Sequence, residues 1–304
     1  MKRTVIGLLL VAAMLLSFAA CGKTVQNESG EGAISFTDMY GRDVVLAKPA
    51  ERIVVLTAAD CEILYAIGAG ERIIGRGEYC TYPAETESVP MVKSGRDTNI
   101  EQIIALAPDV VMMNKMDQTE EQMAALENAG IKVVVNDADD IAGVYKSIEN
   151  VGLVTGLNDE AKALADSMRA AFDEISTLSA GDGTKTIYFE VSPLEYGLWA
   201  GGKNTFMHEI ALMLGLTNIF EDVDGWGQVS EEQVLARNPD YIVTVTMFYD
   251  SDITPSEEIL SREGWANVSA VKNGNVLSVD SDELSRPGPR IAKAAREIYE
   301  FIYG

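Results

Sequence analysis

Two stretches of this chain are near-copies. TNIEQIIALAPDVV occupies residues 98–111, and VSEEQVLARNPDYIV occupies residues 229–243. Aligned on Glu101 and Glu232, 131 residues apart, they share Glu-Gln, two apolar residues, Ala and a Pro-Asp before an apolar run. Each opens on a helix N-cap, Asn99 or Ser230, with Gln102 or Gln233 three residues later, the spacing of a capping box. Glu101 and Glu232 then hold the second helical position. Ile103 and Ile104, or Val234 and Leu235, are expected to face a core. Pro108 and Pro239 end the helices, and a buried strand follows. Such a chain must fold so that one helix–strand unit has two equivalent places.

The rest of the sequence supplies them. Residues 33–47 alternate on both sides of a turn at 40–42, which reads as a hairpin. Apolar runs at 53–56, 72–75 and 132–135 alternate with helical patterns, such as Ile63, Leu64 and Ile67. That order predicts βαβ units and a parallel sheet. Ile141, Val144, Tyr145, Ile148 and Val151 keep helical spacing. Asn158 then caps a longer pattern, Ala161, Leu164, Ala165, Met168, Ala171, Phe172 and Ile175, with no breaker from Asp159 to Leu178. Roughly twenty helical residues span about 30 Å. From 186–191 the strand–helix series starts again. The expected fold is α/β: two Rossmann-like lobes with central, mainly parallel sheets, 33–157 and 182–304, joined by a single long backbone helix within 158–181.

The N-terminus carries a leader, residues 1–20, with Lys2 and Arg3 before an apolar stretch too short to span a bilayer. The following SFAAC resembles a bacterial lipobox, with Phe18 where that pattern prefers Leu. Lipidation of Cys21 is the expectation, against ordinary cleavage after FAA with Cys21 incidental. Residues 21–32 are polar and Gly-rich, a tether between membrane and domain. Nothing later offers about 18 uninterrupted apolar residues, so the lipid anchor is the expected membrane contact. The net charge of −23 becomes −25 once the leader's two cations are gone. Such a surface repels nucleic acid and favours solubility. Cys61 and Cys80 remain, either bridged or as two small thiols.

Enzyme chemistry finds little support. There is no G-x-S-x-G elbow and no phosphate-cradling GxxxxGK, and His208 is the only histidine. His208 reads as an ordinary helix residue, since a metal site usually needs three or four ligands. Ligands of open α/β sheets bind beyond the carboxyl ends of strands. The post-strand loops there carry Tyr79, Tyr82, Arg96, Trp199, Trp226, Asp282 and Arg286, with Arg290 as a structural residue at a helix start. Aromatics in Gly-rich loops suit a broad, partly apolar ligand, and arginines suit its anionic edges. A first-turn acid gains about 0.3–1 kcal/mol from the helix dipole, which accounts for Glu101 or Glu232 singly. Their recurrence suits a partner with two matching basic sites.

Taken together, the lipobox, FTDMYGRDVVL, RIVVLTAADCEILYAIGAGERIIG, NIEQIIALAPDVV, GWGQVSEEQVLARNPDYIV and RPGPRI span nearly the whole mature chain. In that order they resemble the substrate-binding proteins of bacterial ABC importers for cobalamin, ferric siderophores and haem. The resemblance implies a lipid-anchored extracytoplasmic receptor, a monomer, which takes a metal chelate as cargo rather than cofactor and delivers it to a permease dimer with ATPase subunits. It implies that Glu101 and Glu232 dock on permease arginines. Tyr79, Trp199 and Trp226 match aromatics placed over a corrin, and Asp282 and Arg286 match polar contacts. Gly95 departs from it, standing where relatives can carry an aromatic, and the neighbouring Arg96 suits an anionic siderophore. Haem is the alternative cargo, and a secreted α/β hydrolase the alternative class.

Overall fold

The computed structural model describes residues 32–114, 118–245 and 253–304. The leader, Cys21 and nearly all of the tether lie outside the described residues.

The first lobe opens on an antiparallel hairpin, β1 (Ile34–Thr37) and β2 (Asp43–Leu46), with Ile34 opposite Leu46. Buried Asp38 closes its turn by accepting from the Tyr40 and Arg42 amides at 3.0 Å each, and from the Val135 amide at 3.1 Å. The sheet proper runs β4 (Ile73–Arg76), β3 (Ile53–Val55), β5 (Val110–Met113), β6 (Lys132–Val135), all parallel. Its helices are α1 (Ala58–Ala66), α2 (Ile100–Leu106), α3 (Glu120–Asn128) and α4 (Ile141–Thr155).

Helix α5 (Asn158–Leu178) is the long connector, 21 residues and about 30 Å. Asn158 is its first helical residue and not its cap; that place falls to Leu157, which makes no side-chain cap bond. Ala161, Ala165, Met168, Phe172 and Ile175 form its buried stripe. Helix α4 lies against it, and Gly152 makes the approach possible: a Cβ there would stand 2.6 Å from Ala161 Cβ.

The second lobe contains β7 (Thr186–Glu190), β8 (Trp199–Gly201), α6 (Phe206–Met213), β9 (Thr217–Asn218), β10 (Trp226–Gln228) and α7 (Glu231–Arg237). These are followed by β11 (Tyr241–Thr244), α8 (Pro255–Ser261), α9 (Ser269–Asn273), β12 (Val276–Ser278), α10 (Ser281–Leu284) and α11 (Ile291–Tyr303). Strands β7, β11 and β12 are parallel, β9 pairs with the start of β7, and β8 and β10 add an antiparallel edge.

Both sheets are covered on two faces, as the strand period of two requires. Ile53 and Val55 point to one apolar cluster while Val54 and Leu56 point to another, and Ile187 and Phe189 oppose Tyr188 in the same way. One of these clusters runs through both lobes, taking in the stripe of α5 and Ile291, Ala294, Ala295 and Ile298 of α11. The lobes therefore share a core under the long helix.

Candidate functional site

The two copies of the repeated unit form α2–β5 and α7–β11. Each helix has seven residues, with Glu101 and Glu232 at the second position, both exposed. Burial of Ser230 differs little from that of Asn99, yet the caps differ. Ser230 accepts from the Gln233 amide at 3.3 Å and Gln233 Oε1 accepts from the Ser230 amide at 2.8 Å, a closed capping box. In the first copy Asn99 accepts from the Gln102 amide at 3.0 Å, but the Gln102 side chain donates to the Met91 carbonyl at 2.9 Å. The box expected there is open, because another loop lies within reach of the amide. Ile104, expected in the core, is exposed, whereas Leu235 packs inward. Both helices end on a residue of positive φ, Ala107 at 48° and Asn238 at 46°.

The Pro-Asp of each copy has a shared purpose. Asp109 accepts from the Glu51 and Arg52 amides at 2.9 and 3.0 Å, and Asp240 accepts from the Thr186 amide at 3.0 Å. Each carboxylate thus ties the entry of the neighbouring strand. The Glu232 carboxylate is held below its usual range, first by a hydrogen bond from its own backbone amide and then by Ser230.

The candidate ligand residues stand on the loop after β4, on the 3-10 turn Gly95–Asp97, at the starts of β8 and β10, and around α10. Tyr79 and Tyr82 are 64% and 47% exposed, and Trp199 is 40% exposed. Trp199 pairs with Gln228 and Gly201 with Trp226, so both tryptophans share one face of the β8–β10 ribbon, offset by two positions. Their exposure differs. Trp226 is half-buried, with its ring 5.2 Å from that of Phe206 and its Cζ3 3.1 Å from where a Gly201 Cβ would be. Trp226 is therefore held in part by the core. Arg96 is exposed on the 3-10 turn Gly95–Asp97, whose Arg96 carbonyl accepts from Gln122 Nε2 at 2.8 Å.

Asp282 and Arg286 are brought together, and with them the two lobes. Arg286 Nη2 lies 2.8 Å from Asp282 and Arg286 Nη1 3.6 Å from Glu62 of α1, and both nitrogens reach the Thr81 hydroxyl, at 3.4 and 3.5 Å. Arg290 forks onto the same Glu62 at 2.7 and 2.9 Å, and its guanidinium stacks 4.1 Å from the Tyr82 ring centroid. The hydrogen bond to Glu62 holds the Arg290 guanidinium above its ordinary value. Tyr82 is thus committed on one ring face, and Arg290 is structural as expected.

Sequence reading passed over Glu62, Thr81 and Tyr196. Two acids, Asp60 and Glu62, within the otherwise apolar DCEILYAI were a signal that something must compensate them, as were two arginines four apart. Tyr196, 61% exposed on the 3-10 turn Leu194–Tyr196, lies on the loop after β7, three residues before Trp199 opens β8.

Cys61 and Cys80 are both buried free thiols. Cys61 sits within α1 and Cys80 after β4, and a hydrogen bond between them, with burial, pushes the Cys61 thiol up. Beneath them Asp60 accepts from Asn136 Nδ2 and Thr57 Oγ1 at 2.7 Å each; burial outweighs these bonds and raises its carboxyl to about 6. His208 is half-buried in the first turn of α6, its amide bonded to Thr205 at 3.2 Å. Among the described residues no group of three or more His, Cys, Asp or Glu could hold a metal ion.

Comparison with known proteins places this geometry. The family described as periplasmic binding protein matches residues 53–283. An uncharacterized ABC transporter substrate-binding lipoprotein of Bacillus subtilis, YvrC, is 33% identical over 309 residues, 97% of this chain and 95% of that one. The vitamin B12-binding protein of Salmonella paratyphi A is 30% identical over 253 residues, covering 82% and 89%. Among solved structures, a possible iron-binding, periplasmic solute-binding protein of Staphylococcus epidermidis superposes with a TM-score of 0.71 at 31% identity, covering 84% of this chain and 100% of that one.

Proposed function

This chain belongs to the periplasmic binding protein family, and we propose that it captures a metal chelate, a corrinoid such as cobalamin or a ferric siderophore, between its lobes and hands it to an ABC importer. It carries out no reaction on that cargo and holds no cofactor of its own. Cys21 bears the lipid that keeps it at the outer face of the cell membrane, and Glu101 and Glu232 dock on a permease dimer served by ATPase subunits.

The observation that carries the reading is the company kept by Arg286. It stands at the lobe junction beside Asp282 and the hydroxyl of Thr81, whose loop also carries the exposed rings of Tyr79 and Tyr82. The other lobe exposes Tyr196 on the loop after its own central strand and Trp199 at the start of β8. Exposed aromatics with few, fixed polar groups are the furniture of a site for a broad ligand. The relatives called vitamin B12-binding and iron-binding support a chelate over other cargo.

Thermal unfolding of the mature protein with cyanocobalamin, cobinamide, a ferric hydroxamate and haemin tests this. A ligand at a hundred times its Kd adds about 2.7 kcal/mol, so one of the first three should raise Tm. A shift with haemin alone would replace the cargo assignment. No shift with any, joined to hydrolytic activity, would sink the receptor reading.

A further inference from the structure

Glu62 lies on α1 of the first lobe, 4% exposed, between Cys61 and Ile63, which are fully buried. A carboxylate in such surroundings must be paired to stay charged. Both of its cations come from the other lobe. Arg290 supplies a parallel fork at 2.7 and 2.9 Å, and Arg286 stands at 3.6 Å. The chain between the arginines lies directly on the start of α1: a Cβ on Gly288 would be 3.6 Å from Ala59 Cα and from Glu62 Oε2.

Each arginine has a second engagement on the loop after β4. Arg290 lies 4.1 Å from the Tyr82 ring centroid, and Arg286 reaches Thr81 while pairing with Asp282. Because Arg290 takes the fork, Arg286 meets Glu62 at longer range and keeps hydrogen-bonding capacity for a ligand anion. One buried carboxylate therefore fixes the direction of Arg286, the seat of Tyr82 and the approach of the lobes at this edge.

We propose that Glu62 is the positioning residue of the ligand site: it touches no ligand, and through Arg290 and Arg286 it sets the spacing of the lobes and the orientation of Arg286 before cargo arrives. The part concerning Arg286 rests on the function proposed above; the part concerning lobe spacing does not. A site set in advance binds without the cost of ordering its own walls.

The test uses the mature protein with spin labels on cysteines replacing exposed Lys93 and Lys203, one in each lobe, and measures the distance distribution between them. The expected result is a single narrow distance in the parent and a broadened or displaced one in Glu62→Gln, which keeps the side chain's volume. An identical distribution in both would overturn the proposal. Affinity for cyanocobalamin and for a ferric hydroxamate gives the second readout. Glu62→Gln should weaken whichever binds by about tenfold in the parent background and have no further effect in an Arg286→Ala, Arg290→Ala background. Additive losses would show that Glu62 acts elsewhere and would also overturn it. If neither chelate binds the parent, the function proposed above fails, and the distance measurement still decides the role of Glu62 in spacing the lobes.

Discussion

Asn136 donates a 2.7 Å hydrogen bond to Asp60 in a site closed to solvent, and the carboxyl is nonetheless raised to about 6 from an ordinary value of 3.8. Burial outweighs both this bond and the one from Thr57. The folded protein therefore holds the Asp60 proton more tightly than the unfolded chain, and stability contributed at this site grows as pH falls through 6 and is complete near 4. Above pH 6 the charged form is a burden of up to about 3 kcal/mol. Asp60→Asn should accordingly raise the melting temperature at pH 7.5, and the difference from the parent should fade as both are measured towards pH 4. A variant less stable than the parent at pH 7.5 would show that the charge is needed in place.

The buried ion triad of the second lobe should behave in the opposite sense. Arg262 forks onto Glu190 at 2.9 and 3.0 Å and also pairs with Glu258, with the Arg262 and Glu190 side chains almost wholly enclosed. Removing one member leaves an uncompensated charge, so Arg262→Met should cost about 3–5 kcal/mol in denaturant unfolding. Replacing Glu190 and Arg262 together by Met should recover most of that loss. A double variant as unstable as the single one would mean that shape, not charge, is what Arg262 supplies.

At the joint between α4 and the long helix, Gly152 leaves no room for a methyl group against Ala161. Gly152→Val should wedge the helices apart and cost about 1–3 kcal/mol or more. Gly152→Ala combined with Ala161→Gly moves the methyl across the interface, and should be more stable than Gly152→Ala alone. Unfolding midpoints of the three variants check the packing; a tolerated valine would refute it.

How far the sequence foretold this molecule follows from what each element depends on. The repeated helix–strand unit, the parallel order of the central strands and the length of α5 all rest on local period and on Pro or Gly stops, and they hold, although the cap of α5 is Leu157 and not Asn158. The errors occur where a distant group competes. Gln102 looked like half of a capping box, but the Met91 carbonyl lies closer to hand. Ile104 had the spacing of a core residue and is 40% exposed. Trp226, read as a cleft aromatic, also has its ring 5.2 Å from that of Phe206, a contact no local pattern announces. Glu62 went unnoticed because its partners are more than 220 residues away, and no local pattern reports a pairing at that range.

Glu101 and Glu232 carry the prediction that separates docking from binding. Each occupies the second position of a seven-residue helix closed by a positive-φ residue, and in each copy the following Asp ties the unit to the neighbouring strand. Both carboxylates are exposed on fixed helix starts, where charge steers an encounter and depends on salt. Glu101→Arg with Glu232→Arg should stop cellular uptake of the cargo, and each single reversal should reduce it, while the Kd of the isolated protein stays within about twofold of the parent. The measurement is transport in cells carrying the cognate permease, alongside equilibrium binding with the purified variants. Loss of affinity in the double variant would move the glutamates into the ligand site, and undiminished transport would remove them from the permease contact.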